Sequence, residues 1–413
     1  MYAIYNLIVS TSWLVLRLLA KVNTKLSLFV KGREHTLGII RKNISKSDPV
    51  IWVHAASLGE YEQGLPLLEL LKLRYPEHKL LLTFFSPSGY EVKKNTPAAD
   101  VVTYLPMDTK KHVREFLDLV DPKLVLFIKY EIWPNYLSAL KERNVPTLLV
   151  SALFKKEQIY FKWYGRFMRN ALNTFNTFYV QDKNSKSLLK TIGFNNCTVT
   201  GDTRLDRVSK ILDADNTLEF MDEFITESHC LVAGSTWPED EKLLVAYINL
   251  STSDMKFVIA PHNIKHEHSR RLKDSITKPT LLYSEKKGKN LQDSQVLIVD
   301  TIGLLTKIYS YASIAYVGGG FATGLHNTLE PAVFGIPVIT GPKYKGFKEA
   351  EDLIALGGIL SVNSQTALNQ TINELRSDKN SRTVSGKTNS DYISKNKGAS
   401  IRIMEDITNL LNP

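Results

Sequence analysis

Val50-Ile51-Trp52-Val53-His54-Ala55-Ala56-Ser57-Leu58-Gly59-Glu60 runs from apolar residues into small ones, and the following residues resume an amphipathic pattern through Leu65, Leu68, Leu70 and Leu71. An apolar run that halts at small residues and continues with helical spacing is how a buried strand feeds a helix through a tight turn. In an open parallel sheet that turn lies at the carboxyl edge, where ligands gather. Glu60, in the first turn of the helix, is therefore a candidate for chemistry, with Ser57 and Gly59 beside it. The Ser57-x-x-Glu60 spacing equally fits a capping box, in which the serine caps the helix and the glutamate returns to the cap's own amide.

Beyond this stretch the pattern alternates. Apolar runs suited to buried strands recur at 79–85, 101–105, 123–128, 146–152, 177–182 and 197–202, with helical stretches between most of them. After a polar, acidic stretch near Leu212–Glu227 a second set follows at 229–234, 256–261, 295–300, 313–320 and 336–340. This rhythm predicts an α/β chain of parallel sheets covered on both faces. Two sets suggest two Rossmann-like domains facing across a cleft, at 34–212 and 213–413, after an apolar anchoring segment at 1–33. The terminal helix is free to pack back on the first domain. The lysine- and serine-rich interval Lys379–Lys397 reads as an exposed loop.

With 413 residues, 43% of them hydrophobic and 23% charged, the chain is long enough for two ordinary globular cores. Cys197 and Cys230 lie far apart without a CxxC partner, which suggests neither a disulfide framework nor a zinc site and suits a reducing compartment. A net charge of +10 implies an anionic partner: nucleic acid, an acidic membrane face or a phosphorylated substrate. No zinc finger or RNA-binding signature accompanies the charge, so nucleic acid is not expected. Ala3–Ala20 is mostly apolar, broken by Asn6 and Arg17, and is followed by Lys21, Lys25, Lys31 and Arg33. Without a preceding basic region or a cleavage site it does not read as a removable signal. Its length suits either a short span or an interfacial helix, and the basic residues after it would hold the body on the cytoplasmic side of an anionic leaflet.

Further strand ends carry polar residues in patterns that suit chemistry. Ser86-Pro87-Ser88-Gly89 opens a helix whose free amides could receive an anion. Lys129-Tyr130-Glu131-Ile132-Trp133-Pro134 ends a fully apolar strand on a glutamate just before a helix with proline in its first turn. Gly234-Ser235-Thr236-Trp237-Pro238-Glu239 combines small residues with two hydroxyls that could meet a phosphate, although Thr236 and Glu239 also have capping-box spacing. Ala260-Pro261-His262-Asn263 ends another strand. His262, His266 and His268 read as a solvated helix face rather than a metal site, because no carboxylate or cysteine completes a ligand set. Gly318-Gly319-Gly320 allows close backbone approach, and a helix expected from Asn327 would present amides to a phosphate. Glu330 could accept from ribose hydroxyls, or serve as the capping partner of Asn327.

Taken in order, these motifs resemble those of the Kdo transferases, glycosyltransferases that move 3-deoxy-D-manno-octulosonic acid from CMP-Kdo to the lipid A precursor with inversion. WVHAASLGE (52–60) resembles the family's first signature, whose glutamate, the proposed general base, falls on Glu60. Glu131 matches a second glutamate important for activity, with Lys129 and Tyr130 in place of the usual acidic residue and threonine. The resemblance implies a glycosyltransferase B fold. It places the acceptor in the N-terminal domain, near Ser57, Gly59, Ser86 and Ser88. It places CMP-Kdo in the C-terminal domain, at Ser235, Thr236, Pro261, His262, Gly318, Gly319, Gly320, His326, Asn327 and Glu330. Trp237 stands where the family usually has histidine, Pro261-His262-Asn263 departs twice from a proline-arginine-histidine motif, and Leu325 replaces a glycine. No cofactor or metal is implied. The partners are CMP-Kdo, the lipid A precursor and the cytoplasmic face of the inner membrane. A transferase of the same fold using another nucleotide sugar is the alternative.

Overall fold

Strands that are apolar along their whole length need cover on both faces, and the chain supplies it with helices. The computed structural model describes residues 1–225, 228–252 and 255–411. The chain forms two compact units, Met1–Arg207 with Lys397–Pro413, and Val208–Asn396. In the first, β1 (Val50–Ala55), β2 (Lys79–Phe84), β3 (Val101–Tyr104), β4 (Pro122–Ile128), β5 (Thr147–Ala152), β6 (Thr177–Val180) and β7 (Cys197–Val199) form a parallel sheet ordered β3-β2-β1-β4-β5-β6-β7. In the second, β8 (Cys230–Thr236), β9 (Lys256–Pro261), β10 (Thr280–Leu282), β11 (Val296–Ile298), β12 (Ile314–Val317), β13 (Val338–Thr340) and β14 (Ile359–Ser361) are ordered β10-β11-β9-β8-β12-β13-β14.

Strand order reverses between β1 and β4 in the first sheet and between β8 and β12 in the second, where β11 also lies between β10 and β9. At such a reversal the flanking loops part and leave a crevice. Two strands that the apolar runs do not mark, β10 and β14, lie at the two edges of the second sheet. Glu219–Phe224, within the acidic stretch of the sequence, is a helix, while Glu227 lies outside the described residues.

Six helices frame the first sheet early in the chain: α1 (Tyr2–Leu19), α2 (Thr24–Asn43), α3 (Leu58–Arg74), α4 (Pro87–Lys93), α5 (Lys110–Val120) and α6 (Pro134–Glu142). α1 is long and apolar enough to cross a membrane, and none of its residues is buried. One side rests on the body: Tyr5 donates to Asp108 Oδ2 at 2.6 Å, and Tyr2 and Tyr5 pack edgewise or tilted on Phe167. The opposite side exposes Ile4, Leu7, Ile8, Leu14, Val15, Leu18 and Leu19, a stripe at helical spacing. α2 is tied to the sheet, with Thr36 Oγ1 donating to the Tyr104 carbonyl at 3.0 Å. Its Lys25 and Lys31 are exposed, but Arg33 turns inward, donating to the Phe85 carbonyl at 2.6 Å and lying over the Phe29 ring. Burial lowers the Arg33 guanidinium to about 9.

The lysine- and serine-rich interval is a helix, Lys379–Asn396, and not the exposed loop that its composition suggests. Its inward face is small and polar. Asn389 Nδ2 donates to the carbonyls of Ile336 and Gly358 at 2.8 Å each, and Ser385 Oγ donates to Gly358 at 3.0 Å. A Cβ on Gly386 would lie 2.1 Å from the Gly335 carbonyl oxygen, so only glycine allows this approach. The last helix, Ala399–Leu411, buries Ile403, Met404 and Ile407 in the core of the first unit beside α3.

Candidate functional site

The β1–α3 turn places Ser57 as N-cap in extended conformation and Glu60 in the first helical turn. The capping box does not form. Ser57 makes no side-chain cap bond, and its hydroxyl instead donates to Glu60 Oε2. Gly59 is exposed beside them. The neighbouring β2–α4 turn is drawn against this one: Ser86 N–H donates to the Ala56 carbonyl at 2.7 Å, and the Ser86 and Ser88 hydroxyls are paired at 2.5 Å. A Cβ on Gly89 would press to 3.0 Å from the Ser57 carbonyl carbon, which fixes the closeness of the two turns.

Glu131 follows β4, across the order reversal from β1. Its side chain is only 13% exposed, and its Oε2 is held by His54 Nε2 at 3.1 Å and Trp133 Nε1 at 2.9 Å. Lys129, two residues earlier, has φ 66°, a left-handed conformation that costs a non-glycine residue about 1–2 kcal/mol and turns the chain sharply off the strand. His54, Thr83 and Trp133 were not singled out by the motif reading. A histidine inside an otherwise apolar buried run is the signal that points to the first of them.

In the second unit the order reversal joins the loops after β8 and β12 through Asp240. Its carboxylate accepts from Trp237 N–H at 2.9 Å, Gly319 N–H at 2.8 Å and the Tyr316 hydroxyl at 2.7 Å. Gly318 N–H donates to the Gly234 carbonyl at 2.9 Å. Two of the three glycine amides are therefore engaged within the unit. A Cβ on Gly318 would lie 2.4 Å from the Ser235 carbonyl oxygen, so this glycine serves the packing of one loop on the other. Ser235 has φ 54°, the counterpart of Lys129. The Thr236 hydroxyl donates to Glu241 Oε1 at 3.1 Å, which also meets His268 Nε2 at 3.0 Å.

Trp237, His262 and His326 form an aromatic stack at this edge. Trp237 lies parallel to His262 at 4.7 Å, His262 is 4.8 Å from His326, and Trp237 Nε1 donates to His326 Nε2 at 2.9 Å. Burial, with the neighbouring His262, lowers the His326 pKa below its ordinary value. Pro261 ends β9, and His262 N–H donates to the Thr236 carbonyl at 2.9 Å. The helix expected from Asn327 is a single turn, Leu329–Ala332, with Asn327 Oδ1 accepting from Leu329 N–H at 3.0 Å. Glu330 is doubly engaged, accepting from Asn327 Nδ2 at 3.1 Å and Thr306 Oγ1 at 2.9 Å.

Residues 31–207 match the family described as 3-deoxy-D-manno-octulosonic-acid transferase. The chain is 29% identical over 374 residues to the 3-deoxy-D-manno-octulosonic acid transferase of Haemophilus influenzae, covering 86% of each chain. It is 29% identical over 348 residues to that of Aquifex aeolicus, covering 82% of this chain and 89% of the relative. Among solved structures, the UDP-GlcNAc 2-epimerase of Neisseria meningitidis matches with a TM-score of 0.63 at 14% identity, over 87% of this chain and all of the other. MurG of Acinetobacter baumannii matches with a TM-score of 0.56 at 10% identity, over 87% of this chain and 99% of the other. At such identities these structures share the fold, which is the glycosyltransferase B fold.

Proposed function

We propose that this chain is a Kdo glycosyltransferase that moves Kdo from CMP-Kdo to the lipid A precursor with inversion and without a metal, a reading supported by the family match over residues 31–207 and by relatives 29% identical over most of the chain. The observation that carries the reading is the placement of Glu60 and Glu131 after β1 and β4, the two strands between which order reverses. Glu60 takes the proton from an acceptor hydroxyl as that oxygen bonds to the anomeric carbon. The bond from that carbon to the CMP phosphate breaks, and the electron pair leaves with the phosphate. General-base assistance of this kind is worth about 10²–10⁴-fold. The Ser57 hydroxyl occupies Glu60 Oε2 and leaves the other oxygen for the proton.

On the nucleotide side, the engaged amides of Gly318 and Gly319 leave the rest of the β12 loop, the Ser235 hydroxyl and the stacked His262 and His326 as the groups to meet CMP. The exposed stripe of α1, with Lys21, Lys25 and Lys31 close behind it, supports a seat on the cytoplasmic face of the inner membrane, where each nearby cation adds about 1 kcal/mol of attraction to an anionic leaflet.

The test is transfer from CMP-Kdo to a lipid A precursor by the purified protein in detergent with chelator present. Wild type is expected to transfer, and folded Glu60→Ala to lose about 10²-fold or more. Transfer from a different sugar nucleotide alone would move the assignment to another donor.

A further inference from the structure

His54 is fully buried near the C-terminal end of β1, beside Thr83 of β2 in register and among Trp52, Phe127 and Trp133. Phe127 and Trp133 meet its ring edge to face, at 5.7 and 6.3 Å, and allow it one orientation. Both ring nitrogens are in contact with polar atoms. Nδ1 lies 2.8 Å from Thr83 Oγ1 and 3.1 Å from the Thr83 carbonyl, and Nε2 lies 3.1 Å from Glu131 Oε2.

The Glu131 carboxylate at Nε2 only accepts, so the proton of a neutral His54 ring belongs on Nε2, and the Thr83 hydroxyl is the donor available to Nδ1. Trp52 Nε1 is a donor only, and it points at Thr83 Oγ1 from 2.8 Å. With that lone pair engaged, the Thr83 hydroxyl is free to give its own hydrogen to His54 Nδ1. Nδ1 then accepts, and the ring proton sits on Nε2, where a carboxylate acceptor waits. Trp133 Nε1, again a donor only, fills the other approach to the same Glu131 oxygen at 2.9 Å. Every hydrogen in the series Trp52, Thr83, His54, Glu131 thus has one acceptor. The opposite tautomer would set a bare Nε2 against the carboxylate.

We infer that His54 is a positioning residue whose Nε2–H, complemented by the Thr83 hydroxyl at Nδ1, locks the Glu131 carboxylate with Oε2 turned into the protein. Oε1, which has no partner among the described residues, is then the single oxygen presented at the sheet edge. On the transferase reading, on which this inference rests, that oxygen accepts from a sugar hydroxyl as the donor and acceptor align. A carboxylate free to rotate would offer either oxygen and lose that alignment. Displacements of about 1 Å of this kind can cost 10²-fold in rate.

The test combines a spectrum with kinetics. In the full-length protein labelled with ¹⁵N-histidine, in detergent, the resonance absent from His54→Gln is expected to show a protonated Nε2 and an unprotonated Nδ1. His54→Leu is expected to lose about 10²-fold in kcat for Kdo transfer with KM changed less than about threefold. His54→Gln, whose amide N–H can replace Nε2–H, is expected to recover most of that loss. A proton on Nδ1, or a folded His54→Gln no better than His54→Leu, overturns the inference. So does wild-type kcat in His54→Leu. Wild-type protein inactive with every sugar nucleotide overturns the transferase reading instead, and the spectrum still decides the tautomer.

Discussion

The two sheets share a strand-order reversal and differ in the electrostatic design of the edge beside it. Where order reverses between β1 and β4, Glu60 and Glu131 follow the two strands, and His54 and Trp133 hold the second of them from within. Where it reverses between β8 and β12, the carboxylate is on the inside: Asp240 gathers two backbone amides and the Tyr316 hydroxyl, and the edge presents glycine backbone and a stack of Trp237, His262 and His326. One edge carries carboxylates beyond its strands, the other backbone amides and aromatic rings. The shared fold supplies the strand-order reversal, and the residues beyond the strand ends set what each edge presents.

Asp240 is the place to break that contrast. Asp240→Ala leaves the Tyr316 hydroxyl and the amides of Trp237 and Gly319 without an acceptor. Unsatisfied buried donors cost about 1–3 kcal/mol each, and partial relaxation of the loops brings the expected loss to about 3–5 kcal/mol by chemical denaturation. Asp240→Asn, which keeps one acceptor oxygen, is expected to lose about half as much. Where enough folded protein remains, KM for the donor is expected to rise more than kcat falls, because Glu60 and Glu131 lie in the other unit. An Asp240→Ala protein of wild-type stability and KM would mean that the loops hold their form without this carboxylate.

The sequence showed the strands and the chemistry at their ends, and hid what holds that chemistry in place. The apolar runs were legible because burial on both faces leaves no polar positions in a strand, and Glu60 and Glu131 stood out where such runs end. Asp240 sits in Pro238-Glu239-Asp240-Glu241, where three acidic residues in a first turn read simply as favourable to the helix dipole. Its partner Gly319 is 79 residues away, a pairing that only the β8–β12 contact creates. The helix Lys379–Asn396 escaped for a different reason. Its buried face is made of Ser385, Gly386 and Asn389, which bond to backbone carbonyls and give no apolar periodicity. The single-turn helix after Asn327 shows the converse error, a capping signal that leads to only four helical residues.

The first unit has its own counterpart to Asp240. Asp108 likewise accepts from two backbone amides, Asn135 at 3.1 Å and Tyr136 at 3.0 Å, and from the hydroxyl of Tyr5. It fixes the start of α6, just beyond Glu131, and ties α1 to the body. Burial outweighs these bonds and raises its pKa to about 6, against about 3.9 for a free aspartate. The folded state therefore binds the proton more tightly than the unfolded chain. This group's favourable contribution is complete below about pH 4 and is lost as pH rises through about 6, a change of about 3 kcal/mol. Asp108→Asn cannot titrate, so the stability gap between the two proteins is expected to shift against wild type by about that amount between pH 4 and pH 7. A gap independent of pH would show that the bonds to the carboxylate offset its burial, and a gap shifting the other way that they dominate.

The smallest expected effect separates α1's attachment to the protein from its use of a lipid surface. Tyr5→Phe removes one hydroxyl that donates to Asp108 at 2.6 Å and leaves the stripe from Ile4 to Leu19 unchanged. A single hydrogen bond to a charged partner is worth about 1.5–3 kcal/mol, and partial exposure of this one brings the expected loss to about 1 kcal/mol in chemical denaturation. Vesicles containing anionic phospholipid should retain the variant as well as wild type, since the apolar side of α1 faces away from Tyr5. If retention falls with the hydroxyl, the orientation of α1 is set by Asp108, and the buried carboxylate of the first unit governs α1 as Asp240 governs the glycine loop of the second.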